Sequence, residues 1–347
     1  MQRSKYPALW LTLGLLLAAE IAVRLFLPHD VSGRFAYGYD PEAGVVEKNN
    51  GEVALVRAGG RRFHPQVFQR QRPAEVWRIM VIGDSVPRGP SLTKAYGHRL
   101  QELFQEEGRP AEVINMAVPG FGVRRCQLVV RLALRYQPSL IILHLNDSNE
   151  FEDEREYRRF QAFQGWHPRN WPMKSFILAR AYELKTEKIF WRLLPEKIRL
   201  QAGVSDADAE LQAQLDPELQ ARWRRRVSEV TRETVTLIQQ HQIPVVLLTQ
   251  AVCVAGSAGY ELSDHGLDDL ATTLAGPLVW PFSMRSFFAA LPEFWRFFAD
   301  GSHLTAAGHQ ELARGLAGFL RPRLPSGPPV VKTLLPAAVA AAGSPVS

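Results

Sequence analysis

The sequence contains very little cysteine. Cys126 and Cys253 are its only thiols among 347 residues, and neither belongs to a C-x-x-C pair or to a Cys/His cluster with metal-ligand spacing. These absences exclude a disulfide scaffold and a structural zinc site, and they leave open whether the two thiols pair. The nine histidines are dispersed along the chain, so we expect no metal ion and no organic cofactor.

A nucleic-acid-binding motif is also lacking. The formal net charge is +6, but the basic residues are scattered among acidic ones instead of forming a patch. Without a recognition motif beside that charge, no nucleic-acid partner is expected. The sequence gives no indication of an oligomeric state.

A mostly apolar run occupies the N-terminus. Arg3 and Lys5 precede residues 7–27, a stretch about as long as a membrane-spanning helix. Glu20 and Arg24 interrupt the run, but on a helix they share a face and can pair near its end. The sequence therefore predicts a transmembrane helix that contacts the membrane through residues 7–27.

Residues 1–28 are accordingly expected to form a membrane anchor. The alternative is a cleaved signal peptide with its apolar core at residues 8–19, although the small-residue pattern before a cleavage site is poor around residues 17–19. In either case the basic N-terminal end stays in the cytoplasm. We expect the large domain outside the cytoplasm, in the periplasm or the extracellular space.

Strand and helix patterns alternate farther along the chain. Residues 29–74 predict a juxtamembrane segment with a hairpin or two, and residues 75–320 predict the main α/β domain. Strands separated by helices of this length form a parallel sheet with helices on both faces. The predicted strands are 76–82, 112–115, 140–145 and 243–248, and the helices are 92–107, 124–136 and 217–240.

Two segments depart from that alternation. Residues 150–215 are charged and aromatic without a strand pattern, which predicts a helical insertion. Its position after a strand favours either a lid over a ligand crevice or plain packing. Residues 321–347, rich in Pro, Ala, Gly and Val, are expected to be disordered. No strand is predicted after Leu248.

Gly83-Asp84-Ser85-Val86 directly follows the first predicted strand. A serine at a strand-to-helix turn exposes its hydroxyl at the sheet edge, where its own amide can face an oxyanion. This placement favours Ser85 as a nucleophile. The alternative is that Asp84 and Ser85 only cap the next helix.

Two further polar groups follow strands. Asn115 and then Pro119-Gly120-Phe121-Gly122 come after the second strand, where the Gly120 amide can donate to an oxyanion. Asn146-Asp147 ends the third strand, where the Asn146 amide can add another hydrogen bond. Each segment by itself is also compatible with an ordinary turn.

Asp300-Gly301-Ser302-His303 supplies a carboxylate and an imidazole three residues apart. A serine hydroxyl needs a base to take its proton, and a histidine held by a carboxylate does this well. This segment alone is more typical of a helix N-terminus with a surface histidine.

The four segments together resemble the SGNH (GDSL) hydrolases, whose blocks are Ser in G-D-S, a Gly, Asn in G-x-N-D and His in D-x-x-H. The resemblance covers residues 76–150 and 220–318. It implies a flavodoxin-like three-layer α/β/α sandwich with a central parallel sheet.

The resemblance also assigns roles to single residues. It implies that Ser85 is the nucleophile, His303 the base and Asp300 the residue that orients it. It places Gly120 and Asn146 in the oxyanion hole together with the Ser85 amide. One position departs from the pattern, because His144 stands where the third block has glycine. His144 is also an alternative base, with Asp147 as the nearest carboxylate in sequence.

These roles predict a serine esterase that cleaves O-acyl or O-acetyl esters through an acyl-enzyme. Two alternatives remain open at this stage. The same residues serve an O-acyltransferase that passes the acyl group to a cell-envelope polysaccharide, and the fold also serves a non-catalytic envelope protein. An ester or an acylated carbohydrate is the expected substrate, and its identity is not encoded in any readable motif.

Overall fold

The structure is a computed structural model that describes residues 7–26, 44–55, 63–154, 216–257 and 259–324. Most of the predicted insertion at residues 150–215 lies outside the described residues. The predicted disordered tail also lies outside the described residues, from residue 325 onward.

The N-terminal run forms helix α1, Pro7–Phe26. Within the described residues, no helix is long and apolar enough to cross a membrane. The prediction of a transmembrane helix is therefore not supported. Glu20 and Arg24 interrupt the second half of the run and lower its mean hydropathy.

A small antiparallel sheet precedes the main domain. It consists of β1, Val45–Glu47, β2, Glu52–Leu55, and β3, Gln66–Gln69, in the order β1-β2-β3. Its place in the chain agrees with the expected hairpin or two. Leu55 and Phe68 from this sheet are buried in the main core, so the sheet packs on the domain that follows.

The main sheet has five parallel strands. In chain order they are β4, Trp77–Ile82, β5, Ala111–Asn115, β6, Leu140–Leu145, β7, Val245–Thr249, and β10, Val279–Ser283. They lie in the order β5-β4-β6-β7-β10. The first of the five along the chain, β4, is thus an interior strand, with the second on one side and the third to fifth on the other, which is the flavodoxin-like order. The α/β class and the parallel sheet are confirmed.

Helices cover both faces because the central strands are apolar on both sides. Along β4, Met80 and Ile82 lie in one core cluster, whereas Ile79 and Val81 lie in the other. The period of two along a strand causes this division. One face carries α4, Val123–Leu134, α5, Pro217–Gln240, and α6, Leu267–Thr273, and the other carries α3, Tyr96–Glu106, α7, Met284–Ala289, and α8, Ala306–Leu320.

Two strand features after residue 248 were missed from the sequence. β10 contains Pro281, which breaks the expected strand pattern, yet proline is tolerated in an edge strand such as this one. The other feature is an antiparallel hairpin of β8, Val252–Gly256, and β9, Gly259–Ser263. The hairpin contacts the segment that carries Asp300 and His303 through Cys253.

The two cysteines are both buried and unpaired. Cys126 belongs to the core cluster on one face of the sheet and Cys253 to the cluster on the other. The sheet between them keeps the two thiols apart, which answers the question that the sequence left open.

Candidate active site

The candidate site lies at the carboxyl edge of the main sheet, where β4 and β6 lead into loops. This is the point where the strand order reverses, and open α/β sheets bind ligands at such a position. Ser85 follows β4 as the first residue of the short helix α2, Ser85–Arg88. Asn146 follows β6 directly.

The turn after β4 requires glycine at position 83. A Cβ there would lie 2.7 Å from Pro87 Cγ and 2.9 Å from His144 Cβ. The turn can therefore bring α2 tightly against the end of β6. Asp84 caps α2 by accepting a 3.1 Å hydrogen bond from the Val86 amide, so the capping role considered for this segment is also present.

Ser85, His303 and Asp300 form one line of hydrogen bonds. Ser85 Oγ lies 2.9 Å from His303 Nε2, although 218 positions separate the two residues. His303 Nδ1 lies 2.8 Å from Asp300 Oδ2. The structure thus brings together the hydroxyl, imidazole and carboxylate that the sequence singled out.

The loop at residues 300–303 is fixed by its own backbone. The amides of Ser302 and His303 donate to Asp300 Oδ1 at 2.8 and 2.7 Å. Burial opposes the negative charge, but these hydrogen bonds and the imidazole together lower the pKa of Asp300. The carboxylate is consequently charged at neutral pH and faces His303 Nδ1.

Neighbouring elements hold this loop beside Ser85. The Cys253 amide at the start of β8 donates to the Gly301 carbonyl at 2.6 Å. At the other end of the loop, Thr305 caps α8 by accepting a hydrogen bond from the Gly308 amide at 3.1 Å. The His303 and Asp300 side chains remain about half exposed, at 48% and 57%, so a substrate can reach them.

Two backbone amides are available beside the serine. Among the described residues, neither the Ser85 amide nor the Gly120 amide has a hydrogen-bond partner. Gly120 has φ of +72°, a conformation that favours glycine. Its loop is tied to the serine turn because the Val118 amide donates to the Gly83 carbonyl at 3.0 Å.

Asn146 is buried and its side chain is oriented by two neighbours. One amide hydrogen of Nδ2 is donated to the Asp84 carboxylate, and Oδ1 accepts from the Ser148 amide at 2.7 Å. The second Nδ2 hydrogen has no partner among the described residues. Asn146 therefore has one donor left for a ligand, and Asp84 holds that donor in place.

Asn149 was not singled out from the sequence. Its Nδ2 donates to the same Asp84 oxygen at 2.8 Å. Burial raises the pKa of Asp84, while hydrogen bonds from Val86, Asn146 and Asn149 lower it in part. The only sequence signal was its place three residues after Asn146, and that spacing alone did not indicate a shared carboxylate.

The polar contact of the His144 ring is with Tyr96 and not with the serine. It is 2% exposed, and its Nδ1 lies 3.4 Å from the Tyr96 hydroxyl on the α3 face of the sheet. Burial, and next the charge of His309, lower the pKa of His144 to about 3. Asp147, the carboxylate considered for it, instead pairs with His265 at 3.2 Å. These contacts do not favour His144 as a base.

No family model matches the chain, and no curated protein matches it. Similar solved structures include an acetyl xylan esterase, with 14% identity, 70% of this chain and 99% of that chain covered, and a TM-score of 0.41. A lipase/acylhydrolase from Enterococcus faecalis has 14% identity and a TM-score of 0.38, with 72% of this chain and 97% of that chain covered. A GDSL-like lipase from Bacteroides thetaiotaomicron VPI-5482 has 10% identity and a TM-score of 0.37, with 72% of this chain and 89% of that chain covered.

The chain is similar to SGNH/GDSL esterases and lipases.

Proposed function

We propose that this protein is a serine esterase of the SGNH/GDSL type, with Ser85 as nucleophile, His303 as base and Asp300 as the residue that orients the base. The line of hydrogen bonds from Ser85 Oγ through His303 to Asp300 carries the proposal. The substrate class is an O-acyl ester, including acylated carbohydrates.

The first step is acylation of the serine. Ser85 Oγ attacks the ester carbonyl as its proton passes to His303 Nε2, and Asp300 stabilises the imidazolium through Nδ1–H. The tetrahedral intermediate then collapses. His303 returns the proton to the leaving alcohol oxygen, and the acyl group remains on Ser85.

The oxyanion of that intermediate is assigned to three donors. These are the amides of Ser85 and Gly120 and the remaining Nδ2 hydrogen of Asn146. Fixed donors stabilise charge that develops in the transition state without having to reorganise first. The Asp84 carboxylate keeps Asn146 in position for this role.

Water completes the reaction by attacking the acyl-enzyme with His303 as base, which releases the acid. A sugar hydroxyl in place of water would give O-acyl transfer. Product analysis with and without a sugar acceptor separates these two outcomes.

Hydrolysis of p-nitrophenyl acetate tests the nucleophile. We expect Ser85→Ala to lose nearly all activity. Ser139→Ala is the matched control, because Ser139 Oγ accepts a hydrogen bond from the Arg78 amide at the amino end of the sheet. Wild-type turnover by Ser85→Ala would refute the proposal.

We also propose that the catalytic domain is exported. Arg3 and Lys5 followed by an apolar run are the features that support it. Fractionation of cells that produce the full chain is expected to place it in the envelope or outside the cell. Recovery in the cytosol alone would contradict export.

A further inference from the structure

A buried ionic cluster lies directly behind the proposed oxyanion hole. Arg125 on α4 and Asp153, in the helical segment at residues 150–154, are both 0% exposed. Arg125 Nε and Asp153 Oδ1 are 2.5 Å apart. Arg125 Nη2 also donates to the Gly120 carbonyl. Gly120 belongs to the loop at residues 116–122, called here the Gly120 loop. A single guanidinium thus contacts both the Gly120 loop and the segment that follows Asn146.

The Arg125 side chain is packed against the same loop. Its guanidinium carbon lies 4.7 Å from the centre of the Phe121 ring, a distance at which a cation and an aromatic face attract. The guanidinium therefore contacts two consecutive residues of the loop that carries the Gly120 amide.

Glu150 makes a second set of buried contacts between α4 and the segment after Asn146. Glu150 Oε1 accepts a hydrogen bond from the Val123 amide at 3.0 Å, at the first turn of α4. Its Oε2 accepts from Arg226 Nε on α5 at 2.7 Å. The Gly120 loop, the segment after Asn146 and α5 are thus joined by buried charges.

Gly122 allows these parts to meet closely. A Cβ at this position would lie 2.6 Å from Asp153 Cβ and 2.7 Å from Glu150 Oε1. No side chain fits between the loop and the carboxylates. The spacing between the two proposed oxyanion loops is therefore set by direct contact.

Buried ion pairs stabilise a fold no better than well-packed apolar side chains of the same volume, yet removal of one partner is costly. Directional contacts of this kind fix the relative position of the groups they join. An oxyanion hole depends on such placement, because its donors must already point at the developing charge.

We propose that Arg125 and Asp153 are positioning residues for the oxyanion hole, which hold the Gly120 amide at a fixed distance from Asn146. This inference rests on the proposed esterase function. Neither residue touches the substrate. Both act by keeping two donors from different loops aimed at one oxygen.

Arg78 provides a matched control. It is also 0% exposed, pairs with Glu112 at 2.7 Å and donates to the Tyr136 carbonyl at 2.7 Å. It lies at the amino end of β4, opposite the candidate site. Arg78→Met therefore removes a comparable buried guanidinium without altering the oxyanion loops.

The test compares Arg125→Met, Arg125→Lys and Arg78→Met by urea unfolding and by kcat and KM for p-nitrophenyl acetate. We expect both methionine variants to unfold at lower urea concentrations. Only Arg125→Met is expected to lose about tenfold or more in kcat, with KM changed less than about threefold, because loss of transition-state stabilisation acts on kcat. Arg125→Lys, which retains the charge, is expected to recover part of kcat.

Equal kcat losses in Arg125→Met and Arg78→Met, or an unchanged kcat in Arg125→Met, would overturn the positioning role. If Arg125→Met fails to fold, Asp153→Asn replaces it in the test. Asp153→Asn is likewise expected to lose about tenfold or more in kcat. Ser85→Ala in the same assay separates the two proposals. If Ser85→Ala stays active, the esterase mechanism itself fails. If Ser85→Ala is inactive while kcat of the positioning variants is unchanged, only the positioning role fails.

Discussion

The Asp84 carboxylate accepts hydrogen bonds from two asparagine side chains that differ in their relation to the substrate. Both Asn146 and Asn149 donate to Asp84 Oδ2. Only Asn146 immediately follows β6 and is assigned a second donor for the oxyanion. The two residues therefore allow the catalytic contribution of an amide to be separated from its contribution to a buried hydrogen-bond network.

We expect Asn146→Ala to lower kcat by about 10²- to 10³-fold, because it removes one oxyanion donor. Asn149→Ala removes a hydrogen bond to the same carboxylate and is expected to change mainly stability. Steady-state kinetics and thermal unfolding of both variants measure the difference. Similar kcat losses in the two variants would argue against an oxyanion role for Asn146.

Among the described residues, two histidine–carboxylate pairs lie at the carboxyl edge of the sheet. His303 and Asp300 are in line with Ser85, whereas His265 pairs with Asp147. The two pairs look alike in chemistry, and only their relation to Ser85 distinguishes them. Matched substitutions can therefore show which pair supplies the base.

Asp300→Asn is expected to lower kcat by about 10⁴-fold, since the imidazole loses the partner that fixes its tautomer. Asp147→Asn makes the same chemical change in the other pair and is expected to leave kcat within a few-fold. Hydrolysis rates at a pH near neutrality compare them. A larger loss in Asp147→Asn would transfer the role of base to His265.

At the scale of elements, the turn between β4 and α2 determines where Ser85 lies. Its tight approach to β6 depends on the absence of a side chain at Gly83. Ser85 and Asn146 follow these two neighbouring strands. A change that separates the strands at this end should affect both groups together.

Gly83→Ala is expected to cost about 1–3 kcal/mol of stability through overpacking and to lower kcat as α2 shifts away from His144. Gly276→Ala is the control, because a Cβ there meets no atom within 4 Å. Chemical unfolding and ester hydrolysis of both variants measure the effect. Wild-type stability and rate in Gly83→Ala would show that the turn tolerates a side chain.

Three of the four predicted strands, β4, β6 and β7, are interior strands whose largely apolar residues reflect burial on both faces, and the fourth, β5, is an edge strand. β10 was missed because an edge strand accommodates Pro281, which a central strand would not. Ser85, His303 and Asp300 were singled out by the resemblance that the four polar segments carry together, because each segment alone is also compatible with a turn or a helix cap. The contacts of Arg125 and Asn149 could not be predicted, because they depend on how separate loops meet.

At the scale of the whole molecule, two buried histidines link stability to pH. Burial, and then the charge of His303, lower the pKa of His309 to about 4, and burial lowers that of His144 to about 3. In the unfolded chain both would bind protons below the ordinary value of 6.5. Between these values the unfolded state binds more protons, so stability falls as the pH falls.

We expect the protein to lose stability between about pH 6.5 and pH 4, with His309 contributing on the order of 3 kcal/mol. Unfolding midpoints measured across this range check the expectation. His309→Phe, which keeps a ring beside Tyr96 but does not titrate, should show a weaker dependence. An identical pH profile for His309→Phe and the wild type would show that His309 does not account for the acid sensitivity.

The most direct measurement is labelling of the folded protein with a fluorophosphonate probe, followed by mass mapping of the modified peptide. If His303 and Asp300 activate Ser85, the probe should label Ser85 in the wild type, should leave Ser85→Ala unlabelled, and should react much more slowly with His303→Gln. Absence of label from the folded wild type, or the same labelling of Ser85→Ala, would contradict Ser85 as the nucleophile.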